Sequence, residues 1–190
     1  MTNNISFKST FRPVKSLEYN NIASRIDKKF FVDFPWTVKE SVKASQAKTG
    51  SVFDCSVLGI TDGKDVLMLH LCPTMKENLD FNKIKNFILK KIKLGNPDLQ
   101  AALIGSQHNQ SDSKSLFDFL YSLMEKWNIP CSKLCSSDEA LNIAYQSKTD
   151  EWIISSPQID RILSNGEQDS REIIEKSFKV ASLSSVDEYA

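Results

Sequence analysis

Two β-branched and aliphatic runs, residues 52–60 and 65–72, are separated only by Thr61-Asp62-Gly63-Lys64. Asp-Gly between such runs is the strongest short-range hairpin signal, because the turns that match twisted strands need φ > 0 at their centre. The hairpin commits the chain to a sheet and so limits which layers the remaining elements can form. It also brings together residues that are far apart in sequence. Directly opposed residues in an antiparallel pair have a constant sum of numbers. A two-residue loop at Asp62-Gly63, or a four-residue loop over 61–64, makes that sum 125 and sets Cys55 opposite His70. A turn centred on Gly63-Lys64 makes it 127 and sets Cys55 opposite Cys72. Opposed side chains share a face with Cβ atoms ~4.5–5.5 Å apart. The first register gives the reach a thiol and an imidazole base need.

The rest of the chain supplies layers for that sheet. Residues 81–92 carry an apolar face of Phe81, Ile84, Phe87, Ile88 and Ile92, with Asp80 as N-cap and Gly95 and Pro97 as the stop. Residues 100–105 read as a buried strand. A second helix opens on a Ser115/Asp118 capping box and presents Leu116, Phe119, Leu120, Leu123, Met124 and Trp127 before Pro130. Residues 130–135 and 150–155 read as strands, 139–145 as helix or strand, and 171–183 as a helix after a turn at Asn165-Gly166. The order predicts an α/β or α+β layered domain, with central mixed or antiparallel sheets flanked by helices. We divide it into an irregular N-terminal arm with at most one short helix (1–35), one catalytic domain (36–183) and a flexible acidic tail (184–190).

Composition removes several function classes. The 190 residues include 24 basic and 24 acidic side chains, a balance that argues against a protein built to neutralise phosphates. The lysines at 83, 85, 90, 91 and 93 read as the solvated face of the first long helix. No run approaches the ~20 apolar residues of a membrane span. The first residues lack the apolar core of a secretory signal, so the expectation is a protein cytoplasmic as made, with export by a route without a cleaved signal left open. Four cysteines made in the cytosol stay reduced and available for chemistry.

Thr49, Cys55 six residues on, and His70 on the next strand resemble the catalytic signature of the cysteine-dependent protein glutamine deamidases. These include the chemoreceptor deamidase CheD, the catalytic domain of cytotoxic necrotizing factor, and Burkholderia lethal factor. The segments 70–73 (HLCP), 102–107 (ALIGSQ) and 115–134 are similar to segments of CheD in the same order, so the resemblance spans about 45–155. The chain departs from the family in lacking the glycine before the nucleophile and the glycine pair before the histidine. It implies a CheD-like or necrotizing-factor-like fold and a hydrolase that turns a partner protein's glutamine into glutamate through a thioester. Cys55 is the implied nucleophile and His70 its base, oriented by a hydrogen bond that Thr49 accepts. Six residues of straight strand would separate Thr49 from Cys55 by ~20 Å, so this role requires a bend, expected at Gly50. Asp54, Ser56, Gln107 and His108 are the implied substrate-side residues. No metal or organic cofactor is implied. The partner is a glutamine-bearing protein, the chain a monomer, and its unmatched ends suit a bacterial effector or toxin.

Three other readings compete. In a non-catalytic α/β interaction module, Cys55 and His70 are core residues and Trp36, Trp127 and Trp152 core or anchor residues. A zinc site could use His70, Cys72, Cys131 and Cys135, although CxxxC is not the usual spacing. A papain-like protease shares Cys and His but sets its Cys on a helix N-terminus.

Overall fold

The computed structural model describes residues 10–32, 42–73, 81–105, 111–136 and 139–179. The expected tail and the N-cap Asp80 lie outside them. Two mixed sheets pack face to face with helices on both outer sides, an α+β layered fold. The four-stranded sheet runs β1 (Thr10–Pro13), β9 (Glu151–Ser155), β8 (Leu141–Gln146), β3 (Gln46–Val52). The six-stranded sheet runs β10 (Phe178–Lys179), β7 (Cys131–Ser136), β6 (Gln100–Gly105), β4 (Ser56–Thr61), β5 (Val66–Leu71), β2 (Val42–Ala44). Only β1–β9 and β6–β7 pair in parallel.

Strand periodicity divides the six-stranded sheet cleanly. Leu58, Ile60, Leu67, Leu69, Leu71, Ala101 and Leu103 face α2 (Phe81–Lys91) and α3 (Ser111–Lys126) and pack on Ile84, Ile88, Leu116, Leu120 and Met124. The alternate residues Cys55, Val57, Val66, Met68, Cys72, Ala102 and Ile104 face the four-stranded sheet and pack on Ala47, Ile143, Tyr145, Trp152 and Ile154. Trp152 lies directly on Gly59, where a Cβ would fall 1.8 Å from the indole. Glycine there is a packing requirement, since any side chain would push the sheets apart.

The N-terminal residues are more regular than an irregular arm. β1 adds to the four-stranded sheet, and α1 (Ser16–Ser24) covers its outer face with Val14, Tyr19 and Ile26 against Ala144 and Ile153. Asp160 fixes the start of α1, accepting from Ser16 N–H (2.7 Å) and Ser16 Oγ (2.6 Å). Two further expectations need correction, and one open alternative is decided. Helix α3 starts at Ser111, so Ser115 is not a cap and donates to Ser111 C=O instead. Of the two readings of 139–145, strand holds, as β8 over Leu141–Gln146. The expected C-terminal helix ends at Ser177 as α5 (Ser170–Ser177), capped by Asp169, and is preceded by α4 (Pro157–Ser164), capped by Ser156. Among the described residues, no helix is long and apolar enough to cross a membrane.

Candidate active site between the sheets

The β4–β5 hairpin forms, but its register is two residues from the expected one. Thr61 pairs with Val66 and Val57 with His70, a sum of 127, so Cys55 lies across from Cys72 rather than from His70. Asp62 explains the shift. Its carboxylate accepts from Lys64 N–H (3.0 Å) and Asp65 N–H (2.9 Å), closing a loop over 62–65. Gly63 alone takes a positive φ, 83°, so the two-residue turn that Asp-Gly suggests does not form. Cys55 and His70 still share the inter-sheet face as diagonal neighbours, for which Cβ separations are roughly 7–8 Å.

Thr49 reaches the same face from the other sheet. Its hydroxyl lies 2.8 Å from His70 Nδ1 and donates to Val32 C=O at 2.6 Å. With its one proton given to Val32, Thr49 must accept from His70 Nδ1–H. That sets the tautomer with the lone pair on Nε2. Tyr19 anchors Thr49 from behind, its hydroxyl shared between Thr49 C=O (3.0 Å) and Ile143 C=O (3.1 Å). Burial pushes the Tyr19 phenol up, so it stays a neutral donor. The bend between Thr49 and Cys55 is present. The β3–β8 register slips between Thr49 and Val52, and Ser51 rather than Gly50 takes the left-handed conformation, with φ 56°. Gly50 serves another need, because a Cβ there would meet Asn142 Oδ1 at 2.7 Å.

After Val52 the chain leaves the four-stranded sheet, crosses over Phe53-Asp54-Cys55 and enters the six-stranded one at Ser56. This crossover is pinned on two sides. Ser113, buried in the first turn of α3, donates to Asp54 C=O at 2.6 Å. Gly105, at φ 114°, sits where a Cβ would lie 2.3 Å from Cys55 C=O. Asp54 is half-buried, its carboxylate 3.5 Å from Cys55 Sγ. The Cys55 and Cys72 sulfurs and an Asp54 oxygen all lie within 4.8 Å of one another. Burial, and then Cys72 and Asp54, push the Cys55 thiol up. All four cysteines are thiols, unbridged.

Thr49, Cys55, His70 and Cys72 all face the layer between the sheets, each no more than 4% exposed, with Asp54 beside the two thiols. Ser56 is not among them. It is fully buried, and strand alternation turns it away from Cys55. Gln107 and His108 lie outside the described residues, as does Trp36. Trp152 is core, and Trp127 packs at the edge of the helix-covered core. The zinc set of His70, Cys72, Cys131 and Cys135 is divided by the sheet, since Cys135 packs among the helix-facing residues and Cys72 faces the opposite sheet.

Sequence reasoning offered Cys72 only as the alternative neighbour of Cys55, and missed Tyr19 and Val32 as the support of Thr49, and Phe53. The Phe53 ring, 43% exposed beside Asp54, is an apolar surface at the crossover. The alternative sum of 127 carried the signal for Cys72. A cleft of about 400 Å³ lies on the outer side of β3, lined by Tyr19, Lys28, Phe31, Lys48, Gly50 and Asn142 among others. Lys48 Nζ is held there by Ile26 C=O (2.9 Å) and Ala23 C=O, so it finishes the end of α1. No protein-family model and no curated protein matches the chain.

Proposed function

We propose that the chain is a protein glutamine deamidase with Cys55 as nucleophile, His70 as base and Thr49 as the residue that positions His70. One observation supports this most directly. The Val32–Thr49–His70 hydrogen-bond chain leaves a basic Nε2 on an imidazole that shares its face with Cys55. A buried histidine needs a partner for its ring, and a general base needs in addition a set tautomer, which this chain supplies.

Because burial holds Cys55 as a neutral thiol, its proton must leave as the sulfur attacks. His70 Nε2 takes that proton while Sγ adds to the glutamine carboxamide carbon. The tetrahedral oxyanion then collapses, and His70 returns the proton to the departing ammonia. A water, deprotonated by His70, cleaves the thioester to glutamate and restores the thiol. Phe53 gives the substrate chain an apolar contact beside the nucleophile. A bacterial effector acting on a foreign protein fits this chemistry. Trapping of the thioester by an amine would give transglutamination from the same site.

The test is ammonia release and glutamine-to-glutamate conversion, read by peptide mass spectrometry on a panel of glutamine-bearing proteins. Wild type converts at least one glutamine and Cys55→Ala none. Equal conversion by both proteins overturns the assignment. A second reading is favoured by the near-complete burial of Cys55 and His70, which suits two packing residues of an interaction module. That reading gains if wild type converts nothing and Cys55→Ala lowers stability alone.

A further inference from the structure

We propose that Asp54, Cys55 and Cys72 form a binding site for a soft divalent cation, Zn²⁺ by preference, at the point where the chain crosses between the sheets. Cys55 and Cys72 meet across the open end of the β4–β5 hairpin, and Asp54 adds a carboxylate from the adjoining residue. One ligand atom from each lies within 4.8 Å of the other two. In a tetrahedral zinc site, Zn–S is ~2.3 Å and Zn–O ~2.0–2.2 Å, which separates sulfur from oxygen by about 3.5 Å. Cys55 Sγ and Asp54 Oδ1 stand 3.5 Å apart. Two thiolates and one carboxylate suit zinc over magnesium or calcium, which take oxygen sets.

The supports of a preorganised site are also in place. Ser113 and Gly105 fix the crossover backbone, and Cys55 and Cys72 directly adjoin the paired ends of β4 and β5 at Ser56 and Leu71. Asp54, the half-buried member, gives the ion its route in. Three protein ligands leave the fourth tetrahedral position to an outside donor, as in zinc sites that exchange a ligand. Binding exchanges protons for metal: Zn²⁺ forms two Zn–S bonds as two S–H bonds lose their protons to solvent. Because protons are released on binding, affinity rises with pH.

The site stands apart from the deamidase reading. If that reading also holds, bound zinc occupies the nucleophile and inhibits, and a chelator restores activity. Metal binding itself is measured without turnover. The full chain, reduced and metal-free, is titrated with Co²⁺ for thiolate-to-metal charge-transfer absorption and with Zn²⁺ against a chromophoric chelator. We expect one ion per chain. Cys55→Ser and Cys72→Ser should each weaken binding by more than roughly 100-fold, and Asp54→Asn by about tenfold. A Cys131→Ser/Cys135→Ser double variant should bind as wild type does. Zinc should also shield Cys55 and Cys72 together from alkylation. Absence of the charge-transfer band, or unchanged affinity in Cys72→Ser, overturns the site. Asp54→Asn tests it at the crossover, outside the strands, where folding is least at stake.

Discussion

The two ends of the β4–β5 hairpin bury polar groups in the same inter-sheet layer and use them differently. At the turn end, Thr61 Oγ1 meets Tyr145 Oη at 2.9 Å, and that hydroxyl donates to Asp150 at 2.9 Å. The chain of bonds ends on a carboxylate. Thr61 also accepts from Gly63 N–H at 2.9 Å, so the whole group staples the turn to β8. At the open end, Val32, Thr49 and His70 form a chain of the same kind, but it includes an imidazole on the face that also carries Cys55 and Cys72. Both satisfy buried polar groups, as stability demands. Only the second includes an imidazole, the side chain that the proposed function uses as base. Between them Val57, Gly59 and Met68 are plain packing against Trp152 and its neighbours. Structure and candidate chemistry are thus separated along one hairpin.

Substitutions that break one end should leave the other intact. The largest effect is expected from Cys55→Ala, which should lower glutamine conversion by about 10³-fold or more while leaving the melting temperature within a few degrees. Thr49→Val should lower conversion by roughly ten- to a hundredfold and move the pH profile of kcat/KM. Thr49→Ser should restore both, an outcome that loss of packing alone would not give. Gly59→Ala lies in the middle. It should cost about 1–3 kcal/mol, read as a lower denaturant midpoint, because Trp152 has nowhere to move. At the turn end, Tyr145→Phe should cost about 1 kcal/mol with no change in turnover per folded molecule.

The smallest effect is a pH dependence. Burial pushes the Cys135 thiol up to about 11, against ~8.5 for a free cysteine. The folded state therefore favours the neutral thiol more than the unfolded state does. Its contribution to stability is whole below pH ~8.5 and is lost as pH rises towards 11. Urea midpoints should fall over that interval, and less steeply in Cys135→Ala.

What was legible in the sequence follows the same division. Strands and helices that bury one face showed themselves by periodicity. Residues 100–105 and the Ile84/Ile88 face are where the pattern puts them. Strand β3 went unread because its inward residues, Ala47 and Thr49, alternate with Lys48 and Gly50 and carry little apolar signal. Helix α4 is eight residues long, too short for its pattern to stand out, although Ser156-Pro157 is a good helix start. The hairpin was legible and its register was not. The dipeptide Asp-Gly names a turn, while the register depends on where the Asp62 side chain closes the loop. In the candidate site, that difference exchanges His70 for Cys72 opposite Cys55. Thr49 is singled out by the resemblance of its place, six residues before Cys55, to the deamidase signature, but its supports, Tyr19 and Val32, are contacts of the tertiary fold with no local signature.

The pairing of β3 sets an order of assembly. Among the described strands it pairs with β8, which begins at Leu141, whereas β4 and β5 pair with each other across a short loop. As the chain leaves the ribosome, the segment with Cys55 and His70 can form its hairpin early. The β8 partner that holds Thr49 in its strand begins 70 residues after the hairpin ends, at Leu141 against Leu71. During synthesis the thiols are thus present before the imidazole is oriented. A chain cut short of β8 would carry Cys55 and His70 without the strand pairing that holds Thr49 against His70.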